Sequence, residues 1–283
     1  MIWRARPFEF RFPRPTLVMG ILNVTPDSFS DGGRFLDVGA AVERGHELIR
    51  QGADLLDIGG ESTRPGAEPV AEDEELCRVL PVLRRLAAET RIPLSIDTLK
   101  PAVAAAALEA GAALINHVGA GRADPAMDRL LASSDAGYIA MHMQGEPQTM
   151  QSNPTYDAVI GEVHAFFAAT LERLVEAGVS ADRIVLDPGI GFGKTVEHNL
   201  ELLGNMPAFR DLGRPLLVGV SRKSFIGRLT GAEVGERLSG SLASTCLAVA
   251  GGAAVVRTHD VRETVQALRI TEAILAKQRM TTS

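Results

Sequence analysis

The chain has 283 residues, of which 46% are hydrophobic and 23% are charged, a composition typical of a globular protein. Its formal net charge of −6 argues against a surface that binds nucleic acid or an anionic membrane. Cys77 and Cys246 fall in predicted helices and have no CxxC partner. They therefore favour reduced, partly buried thiols over a disulfide framework.

The first fifteen residues contain four arginines but no apolar run of the kind that a secretory signal needs. The longest apolar stretch, 242–256, is interrupted by Gly251 and Gly252 and is too short to span a bilayer. We therefore expect a cytoplasmic protein that has no membrane partner.

Eight short apolar runs recur along the chain, each followed by a polar or glycine-rich cluster and then by a helix-length amphipathic segment. The predicted strands lie near 17–23, 54–59, 93–98, 113–118, 137–143, 183–188, 215–221 and 253–259. The predicted helices lie near 39–51, 72–90, 101–110, 124–134, 156–177, 197–204, 236–250 and 261–277. Parallel strands need crossover helices, and eight such units close into one barrel.

This pattern predicts an α/β fold, a single (β/α)8 TIM barrel over residues 16–277. A lead-in over 1–15 would cross the barrel floor as a hairpin around residues 8–12, and residues 278–283 would form a tail. The active site of such a barrel lies at the carboxyl ends of its strands.

Polar side chains follow most of the predicted strands. Two carboxylates, two amides, a lysine, an arginine and a histidine would meet at the barrel mouth: Asp97, Asp187, Asn23, Asn116, Lys223, Arg257 and His259. Side chains alternate along a strand, so Arg257 and His259 share one face. A buried group of this kind needs partners or ligands.

The residue types indicate which ligands these would be. Carboxylate and amide oxygens suit a flat heterocycle rich in N–H donors, whereas Arg64, Arg257 and His259 suit an anion such as a phosphate. Asn23 together with phosphate oxygens suits Mg²⁺. Zinc is the weaker interpretation, because the six histidines form no HExxH or paired-cysteine pattern.

Two loops have a composition that indicates function, and a third segment is rich in glycine. Loops 24–38 and 60–71 are long and rich in Gly, Pro, Ser and Asp, as are functional lids in compact barrels. The glycine-rich run 187–194 lacks the GxxxxGK[ST] spacing of a P-loop. We interpret its glycines as permitting tight turns that hold Phe192 over the pocket.

Seven segments resemble the dihydropteroate synthase family: 19–33, 57–66, 95–98, 141–145, 187–194, 221–224 and 257–261. The resemblance covers roughly residues 16–275. It departs at His117, where the family pattern leads us to expect an acidic residue. Alternation points His117 away from Asn116, so we interpret it as a packing or surface change.

The resemblance implies a transferase that joins 6-hydroxymethyl-7,8-dihydropterin diphosphate to p-aminobenzoate. The products would be diphosphate and 7,8-dihydropteroate, formed through an SN1-like pterin cation. It also implies a homodimer, which the apolar helix faces around 236–250 and 261–277 favour as well, and a p-aminobenzoate pocket that accepts sulfonamides.

The resemblance further implies a role for each site residue. The pterin would be bound by Ile21, Asp97, Asn116, Met141, Asp187 and Lys223, and p-aminobenzoate by Thr63, Arg64, Pro65, Phe192 and Ser224. The diphosphate would be bound by Asn23, Arg64, Arg257 and His259, with Asn23 as the protein ligand of Mg²⁺. The catalytic residues would be Asp97, Lys223, Arg257, His259 and Asp31.

Two alternatives stay open. A methyltetrahydrofolate–corrinoid methyltransferase is another pterin-binding barrel and could share Asp97, Asn116 and Asp187. It would have no need of the Arg257 and His259 anion site. A catalytically silent paralogue would be expected to lose some of Asn23, Arg64, Lys223 or Arg257, and this sequence keeps all four.

Overall fold

The computed structural model describes residues 1–25, 37–62, 68–119, 124–146 and 148–281, with side chains as far as residue 278. The strands of this part of the chain are β1 (Ile2–Ala5), β2 (Phe8–Arg11), β3 (Leu17–Asn23), β4 (Leu55–Gly59), β5 (Leu94–Asp97), β6 (Leu114–His117), β7 (Gly137–Met141), β8 (Ile184–Asp187), β9 (Leu217–Gly219) and β10 (Val255–Thr258). Its α-helices are α1 (Val38–Gln51), α2 (Glu72–Glu89), α3 (Pro101–Glu109), α4 (Pro125–Ser133), α5 (Val159–Glu176), α6 (Val196–Gly204), α7 (Ser224–Thr230), α8 (Leu238–Gly251) and α9 (Val261–Thr281).

Within the described residues, eight parallel strands form one sheet in the order β8-β7-β6-β5-β4-β3-β10-β9. A parallel bridge between Leu186 and Leu216 joins the two ends of that order and closes the barrel. The strands are short and almost wholly buried, because helices cover them on the outside. The predicted (β/α)8 barrel is confirmed.

The apolar core has two layers. The outer layer lies between the sheet and the helices and includes Leu22, Ile58 and Val82. The inner layer fills the lower part of the barrel with inward side chains such as Leu55 and Leu114, on which the N-terminal hairpin packs. In the described part of the chain the floor of the barrel is thus filled, and a site inside the barrel would open at the carboxyl ends of the strands.

The N-terminal hairpin pairs β1 with β2 in antiparallel register. Trp3 on this hairpin is fully buried and donates its indole N–H to the carbonyl of Arg183 at 3.2 Å. The predicted hairpin therefore exists and is longer than residues 8–12. At the other end of the chain α9 continues to Thr281, so the last helix extends into the segment that we assigned to a tail.

One sequence prediction is wrong about burial, and the structure decides between the two alternatives left open for another. Cys77 is exposed on α2, whereas Cys246 is half-buried on α8 as predicted. His117 is buried rather than at the surface, and its Nδ1 lies 2.7 Å from the hydroxyl of Tyr138. Burial lowers the pKa of His117 to about 4, so this histidine is a neutral packing residue behind the strand.

No helix in the described part of the chain combines the length and the apolar character that crossing a membrane requires.

Candidate active site

At the carboxyl ends of the strands the inward side chains change from apolar to polar. Register places Asp97 on β5 beside Asn116 on β6, and Met141 on β7 beside Asp187 on β8. Asn23 ends β3 and is half-buried. The strand pattern thus brings the predicted pterin residues to one rim, as alternation and parallel register require.

Arg257 on β10 joins two carboxylates across this rim. Its Nε donates to Oδ2 of Asp57 at 2.6 Å, and its Nη2 donates to Oδ2 of Asp97 at 2.7 Å. Burial alone would lower the pKa of Arg257, but Asp57 and Asp97 more than offset this and the net shift is upward. The guanidinium is therefore the positive charge that lets two buried carboxylates share the site.

Several buried acceptors at the rim have no hydrogen-bond partner within the described residues. They include Oδ1 of Asp57, Oδ1 of Asp97 and the hydroxyl of Ser95. Burial raises the pKa of Asp97 to about 7 although Arg257 opposes the shift. Since unpaired buried oxygens are costly, these groups suit a ligand that presents N–H donors.

Asp187 and Lys223 form the opposite side of the rim. Oδ1 of Asp187 accepts from the backbone N–H of Gly189 at 2.8 Å, and burial raises the pKa of this carboxyl. The Lys223 ammonium donates to the carbonyl of Ile190 and lies 4.0 Å from the ring centroid of Phe192, a cation–π contact. Burial lowers the pKa of Lys223 to about 7, with Asp187 opposing the shift.

The loop between β8 and α6 depends on its glycines. Gly189, Gly191 and Gly193 all have positive φ, at 65°, 83° and 58°. A Cβ on Gly191 would lie 2.7 Å from Cδ of Lys223, and one on Gly193 would meet the carbonyl of Gln144. The glycines therefore permit close backbone approach and tight turns, as the sequence predicted.

His259 directly follows β10, the strand that carries Arg257. The Oγ of Ser221 lies 3.0 Å from Nδ1 of His259 and accepts the backbone N–H of that residue at 3.1 Å. Ser224 is exposed at the start of α7. No cluster of three or more His, Cys, Asp or Glu side chains that could hold a metal ion occurs among the described residues.

Part of the predicted site lies outside the described residues, namely Asp31, Thr63, Arg64 and Pro65. One site residue escaped the sequence analysis. Asp57 is fully buried on β4 and contacts both Asn116 and Arg257. The available signal was a single charged residue inside the otherwise uncharged strand Leu55–Gly59.

A second polar group behind the site was also missed. Lys194 is buried, and its Nζ lies 2.9 Å from Nδ1 of His142 and donates to the carbonyl of Phe192 at 3.0 Å. Burial lowers the pKa of Lys194 to about 7 and that of His142 to about 3. The lysine therefore ties the backbone of Phe192 to the β7 loop.

Comparison with known proteins identifies the class to which this site belongs. Residues 19–259 match the family described as pterin binding enzyme. The dihydropteroate synthase of Synechocystis sp. is 46% identical over 266 residues, which cover 94% of this chain and 92% of that protein. The chain belongs to this family of pterin-binding barrels.

Solved structures narrow the class to one kind of transferase. The Yersinia pestis dihydropteroate synthase, determined with a sulfonamide drug, superposes with a TM-score of 0.91 at 44% identity and covers 98% of this chain and 100% of its own. The Burkholderia cenocepacia dihydropteroate synthase, complexed with 7,8-dihydropteroate, gives a TM-score of 0.88 at 47% identity, with 99% and 98% covered. Both the sequence and the fold are those of a dihydropteroate synthase.

Proposed function

We propose that the strand-end site joins 6-hydroxymethyl-7,8-dihydropterin diphosphate to p-aminobenzoate, giving 7,8-dihydropteroate and diphosphate. The observation that carries the proposal is the contact of Arg257 with Asp97 at 2.7 Å. It places a cation suited to a phosphate directly beside a carboxylate suited to a donor-rich ring. The Burkholderia cenocepacia enzyme, whose structure contains 7,8-dihydropteroate, supports the same substrate class.

The pterin ring would bind between β5 and β8. Asp97, Asn116 and Asp187 supply acceptors for its N–H groups, and Lys223 supplies a donor for its carbonyl or ring nitrogen. Ile21 and Met141 are buried and apolar, and they suit the faces of the ring. Burial destabilises the charged form of Asp97 and raises its pKa to about 7. A ligand N–H that donates to this carboxylate would stabilise the charged form.

The diphosphate would bind toward β10, at Arg257 and His259, with Arg64 from the loop after β4. Asn23 contributes a neutral oxygen at the end of β3, and it is a suitable hard-cation ligand. Mg²⁺ commonly keeps one or two protein ligands and takes phosphate oxygens for the rest, so a site with few protein carboxylates fits it. When bound there, Mg²⁺ would neutralise negative charge on the departing diphosphate.

The reaction would break the bond between the pterin methylene carbon and the diphosphate oxygen. The electron pair leaves with diphosphate, whose growing charge is stabilised by Arg257 and His259. The methylene becomes cationic and is stabilised by the nearby carboxylate of Asp97. The aniline nitrogen of p-aminobenzoate then forms the new C–N bond and loses a proton, so no covalent enzyme intermediate is needed.

The p-aminobenzoate ring would lie beside Phe192. Lys223, which contacts the Phe192 ring, would thus touch both substrate regions. Ser224 and the predicted residues Thr63, Arg64 and Pro65 would complete this pocket. Asp31 would act from the loop after β3, and closure of that loop would exclude the water that could trap the cation.

A homodimer is also part of the proposal. The helices α8 and α9 pack on each other, and their outer faces expose Leu247, Ile270 and Ile274 to 68%, 65% and 56%. Exposed large apolar side chains on adjoining helices are typical of a protein–protein interface. A second copy of the chain is the partner that the family resemblance implies.

The direct test of this function is product formation. Purified protein supplied with both substrates and Mg²⁺ should produce 7,8-dihydropteroate, identified by chromatography and mass. Arg257→Met should abolish most of that activity, because the leaving group loses its principal cation. If the parent protein binds the pterin but neither the parent nor Arg257→Met forms product, the protein would instead be a silent paralogue.

A further inference from the structure

Asp57 holds a central position that the proposed mechanism does not use. It lies in the middle of β4 with a side chain that is 0% exposed. Its Oδ2 accepts two N–H groups, one from Nδ2 of Asn116 at 2.9 Å and one from Nε of Arg257 at 2.6 Å. One buried oxygen thus connects a residue proposed to bind the pterin with one proposed to bind the diphosphate.

This contact fixes which way the Asn116 amide points. A guanidinium has only donors, so Oδ2 of Asp57 must act as the acceptor for Arg257. An acceptor selects the NH₂ group of Asn116 rather than its oxygen. The amide oxygen of Asn116 is therefore turned away from Asp57. This orientation is set by which groups donate and which accept hydrogen bonds, and not by the shape of the side chain.

We propose that Asp57 is a positioning residue that sets the donor–acceptor polarity of Asn116 and seats Arg257 at the junction of the two substrate regions. The inference rests on the proposed function, because it assumes that Asn116 faces the pterin. An Asn116 oxygen held outward accepts an N–H of the ring. A rotated amide would present a donor to that N–H and reject the ring.

A double-mutant cycle tests whether Asp57 acts through Asn116. In Asp57→Asn, a single amide oxygen must serve both donors, and the new NH₂ points toward the buried site of Oδ1, which has no partner within the described residues. In Asn116→Ala, the amide whose orientation Asp57 is proposed to set is absent. Asp57→Asn should then have little further effect on pterin binding, whereas a role of Asp57 that bypasses Asn116 would weaken binding in both backgrounds.

The experiment is a calorimetric titration with 6-hydroxymethylpterin of the parent, Asp57→Asn, Asn116→Ala and the double variant. Each single variant should bind at least about tenfold more weakly, the effect of one lost or mismatched buried hydrogen bond. The double variant should bind within about threefold of Asn116→Ala, since residues that act through one contact do not have additive effects. Asp54→Asn is the matched control, because Asp54 precedes the same strand and accepts the N–H of Val18 at 2.9 Å, away from the mouth.

The outcomes separate the inference from the function on which it rests. Lack of pterin binding by the parent protein would reject the proposed function itself. With a binding parent, an Asp57→Asn variant of unchanged affinity, or a double variant at least about tenfold weaker than Asn116→Ala, would overturn the positioning role. Should Asp57→Asn fail to fold in thermal unfolding, the same cycle with Asp57→Glu, which keeps the carboxylate but displaces it, decides the question.

Discussion

Arg257 and Asp97, which stand 160 positions apart in the sequence, are joined by a hydrogen bond of 2.7 Å across the barrel mouth. From the sequence we expect the arginine to bind the diphosphate and the aspartate to bind the pterin. Their contact makes the two proposed binding regions adjacent, at the place where the scissile bond would lie. A diphosphate that draws Arg257 toward itself would leave Asp97 facing the developing cation.

Replacement of either pterin carboxylate by its amide should weaken pterin binding. Asp97→Asn and Asp187→Asn each put a donor where the ring needs an acceptor, at a cost of about 1–3 kcal/mol for the unpaired group. Calorimetric titration with a pterin ligand measures the change. Unchanged affinity in both variants would remove these residues from the pterin site.

The pH dependence of kcat/KM for the pterin diphosphate should be bell-shaped and centred near neutrality. The pKa of Asp97 is raised to about 7, so at lower pH the carboxyl gains a proton and loses the negative charge that would stabilise the pterin cation. The pKa of Lys223 is lowered to about 7, so at higher pH the ammonium loses its charge. Because Asp97 and Lys223 lie in one site, the two apparent pKa values read from the profile belong to the pair and not to either group alone.

A variant that cannot lose its proton isolates the alkaline side of that profile. Lys223→Arg carries a permanent charge and should keep the acid limb while losing the alkaline one. Values of kcat/KM that stay level from about pH 6 to pH 8 in the parent would contradict the assignment of the two limbs to Asp97 and Lys223. An alkaline limb that persists in Lys223→Arg would contradict it as well.

The fold and most of the rim followed from the sequence because each depends on local rules. Alternation and strand ends predict where Asp97, Asn116 and Asp187 lie, and parallel register brings them together. Asp57 was harder to recognise, because its partners Asn116 and Arg257 lie 59 and 200 positions away. The local signal, one charged residue in the middle of an otherwise uncharged strand, does not show which residues would pair with it.

The exposure of Cys77 was missed, and the choice between packing and surface was left open for His117, for a related reason. A helix pattern shows that one face is covered but does not fix the face of a residue near its edge. His117 was correctly predicted to point away from the barrel interior. Its burial depends on helices packed outside the sheet and on Tyr138 of the next strand, at 2.7 Å, which strand alternation alone does not reveal.

The proposed dimer should dissociate when a charge is placed on its apolar face. Ile270→Asp would put a carboxylate into a contact that excludes water, which is costly without a partner. Light scattering at micromolar concentration should show a dimer for the parent and a monomer for the variant. Val175→Asp is the control, because Val175 is a comparably exposed apolar residue on α5. A monomeric parent would reject the dimer.

Sulfonamides should inhibit in competition with p-aminobenzoate, because they present an aniline nitrogen and an acidic group at a similar spacing. The Yersinia pestis enzyme was determined with such a drug, and Phe192 of this chain lies in a segment that resembles the family. Binding should tighten when diphosphate and Mg²⁺ are present, since these would order the loops that build the pocket. Competition of sulfamethoxazole with the pterin substrate instead would show that the pocket is assigned wrongly.

The central claim is that one site breaks the bond to diphosphate and passes the pterin to p-aminobenzoate. The most direct measurement is release of diphosphate from the pterin substrate by the purified protein, with and without p-aminobenzoate, alongside the yield of 7,8-dihydropteroate. The account predicts one dihydropteroate for each diphosphate, and release at least about tenfold slower without p-aminobenzoate, because the closed site excludes water. Release that is indifferent to p-aminobenzoate, with no dihydropteroate formed, would contradict it.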